Sequence, residues 1–462
     1  MTNLPTHRSA NTATSDAPND AAWYRTLDRV QWNTLIASNL GWLFDGFETY
    51  ALILTVGPAL RQLLEPSLYP QIPAYAGTII AINLFGWGIG GMIGGVLADY
   101  LGRRRMMMIA VLAYSLTTGL SAFAFDWPSF AILRFLVGVA VGSEWATGSS
   151  MVAELWPDRA RGKGAGLMQC GLGIGFFIAS LVWLFVNPLG PGSWRYMYML
   201  GVLPALLTLW IRRSIPESRL WEETDARRRA VLSRQRRGEA LGAPEQALAR
   251  FTLFDLFTDR TVRRQTVLVF LMSLSTTVGF WGISTWVPPF VGGIAAASGL
   301  APEQGASYAG MAYTFGSVAG YVSFGFLADA YGRKPVTIVF FVLALILTPV
   351  LFFWTRDLST LLALACVNAF FSNGQYTWMP AWLPELYPTR MRATALAFVF
   401  NGPRFIAFLG PLLAGTMIVQ FGGYGQAAMA LALVYLVGIA ATPFLPETLG
   451  KPLPASSAVG RG

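Results

Sequence analysis

Long apolar stretches recur along this chain, separated by short polar breaks. They fall at residues 31–60, 73–98, 106–124, 129–152, 164–186, 194–212, 264–289, 305–328, 336–354, 358–382, 393–419 and 424–445. A helix needs about 20 apolar residues to cross a bilayer, and each window reaches or approaches that length. The pattern predicts twelve transmembrane helices. The first window differs from the rest, because Asn39-Leu-Gly-Trp-Leu-Phe-Asp45-Gly-Phe-Glu48-Thr-Tyr50 sets two carboxylates at its centre. An ionisable side chain at mid-membrane costs at least about 2.5–3.5 kcal/mol by insertion scales, and rarely stays without a task. Three residues apart, Asp45 and Glu48 project from one helix face. Gly46 between them lets another helix or a ligand come close.

The polar breaks set the topology. Odd-numbered connections hold little positive charge, namely Arg61, Arg195 and Arg356. Even-numbered ones hold Arg103-Arg104-Arg105, Arg159/Arg161/Lys163, Arg333-Lys334 and Arg390/Arg392. The longest, 213–263, adds Arg227-Arg228-Arg229 and Arg236-Arg237, read as solvated orientation signals in a charged, partly helical linker. The positive-inside rule then places both termini and all even loops in the cytoplasm. The expected organisation is a cytoplasmic tail (1–30), a six-helix bundle (31–212), a cytoplasmic linker (213–263), a second six-helix bundle (264–445) and a cytoplasmic tail (446–462). This is an all-α membrane protein of two pseudo-symmetric six-helix bundles.

Composition agrees and removes several functions. Of 462 residues, 54% are hydrophobic and only 12% charged, against about 25% charged in soluble domains. The net charge of +9 suggests nucleic acid until it is located on one set of loops, and no nucleic-acid partner is expected. The two cysteines, Cys170 and Cys366, each lie inside an apolar span, so neither a structural disulfide nor a metal site is expected. The single histidine, His7, lies in the polar N-terminal tail, so a proton relay has to use carboxylates. Residues 1–30 show no apolar run behind a basic start, and no cleaved signal peptide is expected. No P-loop, metal cluster or activated nucleophile is visible, so neither an enzyme nor a bound cofactor is expected.

The two halves repeat. Leu97-Ala-Asp99-Tyr-Leu-Gly102-Arg103-Arg104 recurs as Leu327-Ala-Asp329-Ala-Tyr-Gly332-Arg333-Lys334. Glu154-Leu-Trp-Pro157-Asp-Arg159-Ala-Arg161 recurs as Glu385-Leu-Tyr-Pro388-Thr-Arg390-Met-Arg392, and Pro216-Glu217-Ser218 as Pro446-Glu447-Thr448. All three pairs are separated by 230 or 231 residues. Parallel repeats of this kind build transporters whose binding site lies at the midplane between the halves.

The twice-occurring D-x-x-G-R-R/K resembles the signature of the major facilitator superfamily, and the resemblance covers essentially residues 23–450. It implies twelve helices, alternating access, and a gating role for Asp99, Gly102, Arg103, Asp329, Gly332 and Arg333. In that family these contacts clamp the cytoplasmic ends while the protein faces outward. An acid there can also pair with the N-terminus of a neighbouring helix. Ala22-Trp23-Tyr24-Arg25 through Trp32, with Asp45-Gly46-Phe47-Glu48, is similar to the start of sialic-acid/proton symporters. Arg134-Phe-Leu-Val-Gly138, Gly142-Ser-Glu144-Trp145 and Glu154-Leu-Trp-Pro157 look like their fourth span. The aromatic-acid/proton symporters share D-G-F-D in span 1, and Gly402-Pro-Arg404-Phe-Ile-Ala407 is similar to their span 11. Glu48 stands where those families usually have Asp, and typical sialate symporters have additional spans.

The candidate site follows. Asp45, Glu48, Arg134 and Glu144 are proton-coupling candidates. Arg134 is read equally as a brace pairing span 4 with a span-1 acid, and Glu144 equally as an interhelical hydrogen-bonding group. Arg404 sits near mid-span after Gly402-Pro403 and has no charged counterpart in the first half, where Gly173 lies at the same offset. A guanidinium facing a cavity suits bidentate capture of a carboxylate, and an ion pair with span 1 or 4 is its other reading. Gln169, Asn373, Gln375 and Trp378 are further substrate-binding candidates, followed by Asn368, Tyr376, Trp281 and Trp286.

The expectation is a monomeric, multi-pass protein of a bacterial inner membrane that imports a small organic acid, aromatic or sugar-derived, with a proton. A sugar or polyol porter is the alternative, since the P-E-S and P-E-T-x-G-K loops look like those of sugar porters. The seventh window holds no glutamine for sugar hydroxyls between Val267 and Pro289, which speaks against it. Drug antiport lacks its Gly-Pro signature in span 5, although Gly410-Pro411 echoes it in span 11. A non-transporting nutrient receptor would often carry a long soluble tail, and here the chain ends soon after the twelfth window.

Overall fold

The structure, a computed structural model, describes residues 23–284, 286–300, 302–354, 356–409 and 420–454. His7, most of the N-terminal tail, Gly410-Pro411 with the rest of 410–419, and residues 455–462 lie outside the described residues. The described chain is helical, with no strand. The first bundle is built from α1 (Arg29–Leu63), α2 (Ile72–Leu101), α3 (Arg103–Ser121), α4 (Trp127–Gly142), α5 (Glu144–Leu155), α6 (Arg161–Val186), α7 (Trp194–Leu200) and α8 (Ala205–Ser214). Three linker helices follow, α9 (Arg219–Arg236), α10 (Ala243–Ala249) and α11 (Thr252–Thr258). The second bundle comprises α12 (Arg260–Ser284), α13 (Val287–Ala297), α14 (Pro302–Tyr331), α15 (Arg333–Phe353), α16 (Leu358–Ser372), α17 (Trp378–Leu386), α18 (Arg392–Asn401) and α19 (Arg404–Ala407), then Tyr424–Ala432 and Tyr435–Ala441.

Local chemistry starts and stops these helices. Asp28 and Gln31 form a capping box at the head of α1, with backbone-to-side-chain bonds of 2.8 and 2.7 Å, satisfying donors a helix start leaves free. Gly102 and Gly332 hold φ of +101° and +104°, a conformation natural only to glycine, and so turn α2 into α3 and α14 into α15. Beside each turn a carboxylate caps the next helix. Glu217 accepts the Arg104 N–H at 3.1 Å, and Glu447 accepts those of Arg333 and Lys334 at 3.1 and 2.9 Å. That is the structural content of the repeated Pro-Glu-Ser/Thr.

Seven described segments are long and apolar enough to span a membrane by length and composition. Several of the twelve windows fall outside this set because their helices are interrupted or charged. The fourth stays within the set although its helix changes at Ser143, whose hydroxyl donates to the Gly90 carbonyl at 2.9 Å. The sixth breaks over Gly201–Pro204, the tenth passes through a 3-10 turn at Gly374–Thr377, and the eleventh breaks at Gly402-Pro403. The first is one uninterrupted helix of 35 residues, diluted by its polar centre.

The halves meet along α6 with α14 and α2 with α18. The linker is more than a tether. Arg228 on α9 is buried, donates to the carbonyls of Asp99 and Arg390 at 2.8 and 2.9 Å, and stacks on Tyr100. Trp221 donates to the same Asp99 carbonyl. The expectation that the linker arginines are solvated therefore fails at Arg228, which ties both halves together.

Candidate functional site

Two layers of buried charge lie at different heights. The first is at the end bearing the basic loops. Asp99 accepts the backbone N–H of Thr394 at 2.9 Å and its hydroxyl at 2.6 Å, at the start of α18 in the other half. Asp329 does the mirror-image thing at the start of α6, accepting the N–H of Gly162 at 3.0 Å and Lys163 at 2.9 Å. A carboxylate at a helix N-terminus meets free donors and the positive end of the dipole. Arg103 pairs with Asp99 and Glu154 at 3.0 and 3.3 Å, and Arg392 reaches Glu154 from the other half at 2.7 Å. In mirror image, Arg333 pairs with Asp329 and Glu385, and Arg161 crosses to Glu385, each at 2.9 Å. Glu154 and Glu385, each shared by two guanidiniums, were visible as the second repeat but were not singled out.

The second layer lies at mid-length. Asp45 and Glu48 share a face of α1 yet face different partners. Glu48 pairs with Arg134 of α4, whose other nitrogen bonds the Ser121 hydroxyl and whose guanidinium lies 4.4 Å from the Tyr198 ring centre. Asp45 faces Glu144 of α5, carboxyl to carboxyl, and neither Asp45 oxygen meets another donor among the described residues. Glu144 fits there because Gly41, one turn before Asp45, has no side chain; a Cβ on Gly41 would strike its carboxyl. Gly46 turns instead to the α6 backbone at Leu172, so its closeness serves helix packing.

Arg404 is buried between the halves. Its guanidinium lies between the rings of Trp87 and Phe400, 4.5 and 4.1 Å from their centres, and bonds the Phe400 carbonyl. No carboxylate pairs with it among the described residues, and its Nε has no acceptor. The ion pair with span 1 or 4 is thus not formed. With Thr49, Trp281 and Tyr376 it borders a cleft of 20 Å³ that shares Phe176, Phe280 and Trp281 with a larger cavity of 270 Å³ between α1, α6, α12 and α14.

The other expected residues divide. Asn373 lines the larger cavity, donating to Ser317 at 2.6 Å while Tyr313 donates to it at 3.4 Å. Gln169 accepts from the Trp145 indole at 3.1 Å, Trp378 donates to Thr276 at 3.0 Å, and Gln375 donates to the Ser372 carbonyl at 2.8 Å. None of those three borders either cavity. Asn368 donates to Thr348, and Trp286 is buried in the core. Unanticipated cavity residues are Tyr50, Phe280 and the α14 stripe Tyr313, Ser317 and Tyr321. Their spacing of four in a helix otherwise rich in small residues was a usable signal.

Comparison with known proteins follows the same lines. The family described as Sugar (and other) transporter matches residues 58–458. The sialic acid transporter NanX of Escherichia coli (strain K12) is 27% identical over 426 residues, 90% of this chain and 96% of NanX. The 4-hydroxybenzoate transporter PcaK of Pseudomonas putida is 27% identical over 416 residues, 88% of this chain and 90% of PcaK. Among solved structures, the proton:xylose symporter XylE of E. coli superposes with a TM-score of 0.72 over 92% of this chain and 98% of that one, at 21% identity. At that identity the likeness concerns the fold.

Proposed function

The chain belongs to the sugar (and other) transporter family of the major facilitator superfamily, and on that premise we propose a proton-coupled symporter that imports a small organic acid by alternating access. The observation that carries this reading is Arg404, a buried cation between the halves with aromatic rings on both sides and no acidic partner among the described residues. A buried guanidinium without a counter-charge is unfavourable, and a substrate carboxylate supplies both the charge and the bidentate acceptor. NanX and PcaK, named for sialic acid and 4-hydroxybenzoate, are carriers of carboxylic acids, which supports an acid as cargo.

The proton has a separate place. Two carboxyl oxygens in contact attract only with a proton between them, and Asp45 with Glu144 makes such a pair inside the first bundle. A proton there cuts the pair from two negative charges to one, and an anion at Arg404 neutralises the guanidinium; without either, the halves would have to rock around a fuller unpaired charge. In this cycle the paired layer at the basic-loop end is the closed cytoplasmic gate, with both termini on the same side of a bacterial inner membrane, and the carrier works as a monomer.

One observation favours a second reading. The hydroxyls and amide of Tyr313, Ser317 and Asn373 on the larger cavity are groups that bind sugar or polyol hydroxyls. Purified protein in liposomes decides between them. Uptake of labelled benzoate, nicotinate and sialate should include at least one acid accumulated under an inward proton gradient and released by an uncoupler. Gradient-independent uptake of an uncharged sugar, with none of the acids carried, overturns the anion reading.

A further inference from the structure

Inside the first bundle runs a polar seam that borders neither of the cavities above. Tyr114, Thr118 and Ser121 of α3 are buried and lie along one helix face at spacings of four and three. Ser121 accepts from Arg134, the partner of Glu48. At the other end Tyr114 lies in the electrostatic field of Asp45, Glu144 and Glu48. Among the described residues the Tyr114 and Thr118 hydroxyls have no hydrogen-bond partner, and both Asp45 oxygens, Glu144 Oε1 and Glu48 Oε2 meet no donor group. Buried polar atoms nearly always have partners, so this concentration of them in one seam calls for an explanation. A hydroxyl can donate, an ionised carboxylate is only an acceptor, and here two unpartnered hydroxyls share a seam with several acceptors. On the side towards the second half, Trp42 and Trp145 contact the Phe400 ring, Trp145 stacking on it at 3.7 Å, so aromatic rings separate the seam from Arg404.

We propose that Tyr114 is a positioning residue for the coupling proton: its hydroxyl donates to whichever of Asp45 and Glu144 is ionised, and so fixes the proton on the other. Tyrosine keeps its own proton throughout; only the hydrogen bond changes partner. Thr118 and Ser121 continue the same face to the Glu48–Arg134 pair. The charged and titratable groups of the seam are Asp45 and Glu48 on α1, Arg134 on α4, Glu144 on α5 and Tyr198 on α7, the last stacked against Arg134. Proton binding and substrate binding are then handled by separate rooms of the molecule. This inference rests on the proton-symport reading for its purpose, but its test does not need transport.

Tyr114→Phe removes one oxygen and keeps the ring. Donation to a carboxylate favours its ionised form, so the variant should hold the proton to higher pH. Infrared titration of the purified full chain reads this directly, through the protonated-carboxyl band that disappears in Asp45→Asn. In Tyr114→Phe that band should persist to a pH about one unit higher, the scale of one hydrogen bond to a charged group. Thr118→Val, nearly isosteric, should shift it in the same direction by less, and serves if the first variant does not fold. A band that titrates as in the wild type in the folded variants overturns the proposal. A shifted band in a protein whose uptake ignores the proton gradient sinks the symport reading and leaves the positioning role standing.

Discussion

The two layers of buried charge obey opposite rules. At the basic-loop end, Asp99, Glu154, Asp329 and Glu385 each meet a guanidinium, and every one of those four clusters contains a bond that crosses between the halves. At mid-length, among the described residues, only Glu48 with Arg134 is paired in that way; Asp45 faces another acid and Arg404 faces rings. Paired charges hold one conformation. Charges left without a fixed counter-ion depend on something that arrives and leaves, which is what a carrier needs at its centre and must avoid at its gate.

The contrast breaks most visibly at Asp45. Asp45→Asn should abolish accumulation against a gradient while exchange of substrate across the membrane continues, because only the proton site is lost; undiminished accumulation would place coupling elsewhere. The same contrast predicts stability. Glu48→Gln strands Arg134 and should destabilise by about 3–5 kcal/mol, whereas Asp45→Asn removes a charge that has no cation and should leave thermal stability in detergent unchanged or raised. Equal losses in both would show that Asp45 is as firmly paired as Glu48. At the proposed gate, Asp329→Asn should cut turnover strongly and change substrate affinity by only a few fold, since Asp329 holds α6 and borders neither of the two cavities described above; parallel losses of binding and transport would contradict that.

The smallest effect is at Glu447, outside the spans. Partial burial works against its charge, but the backbone N–H groups of Lys334, Arg333, Leu449 and Thr448 hold its carboxyl below the usual glutamate range. A depressed value means the stabilisation is present above the ordinary value of about 4.3 and fades as the pH falls through the folded value. Glu447→Gln should cost at most about 1 kcal/mol after solvent screening at neutral pH. That difference in melting should vanish in acid, and one persisting unchanged at low pH would assign the cap to shape alone.

The paired layer at the basic-loop end was legible because it is written twice. Three motif pairs offset by 230 or 231 residues drew attention to Asp99 and Asp329, which lie near the ends of α2 and α14 and accept from the starts of α18 and α6, and the repeated glutamates carried the rest of the network unread. The mid-length site was legible in its ionisable residues alone, since a charge inside an apolar window stands out by its rarity. Which acid faces which cation was not, because Gly41 opening the space for Glu144 is a fact of packing between α1 and α5. The uncharged candidates were harder to read. Gln169, Gln375 and Trp378 satisfy neighbours inside their own bundles, as polar groups in a span do by default, while the stripe on α14 reached the cavity. Arg228 looked like one more loop charge, and only the tertiary structure shows it buried against two carbonyls.

The central claim is that Arg404 waits for the carboxylate of the cargo. Arg404→Lys keeps the charge and loses the planar two-pronged donor. Equilibrium binding to the purified variant, with the acid that the wild type accumulates, should weaken by at least about tenfold, or about 1.4 kcal/mol, while the yield of folded protein stays near that of the wild type. Unchanged affinity for the acid in a folded Arg404→Lys protein would contradict the account.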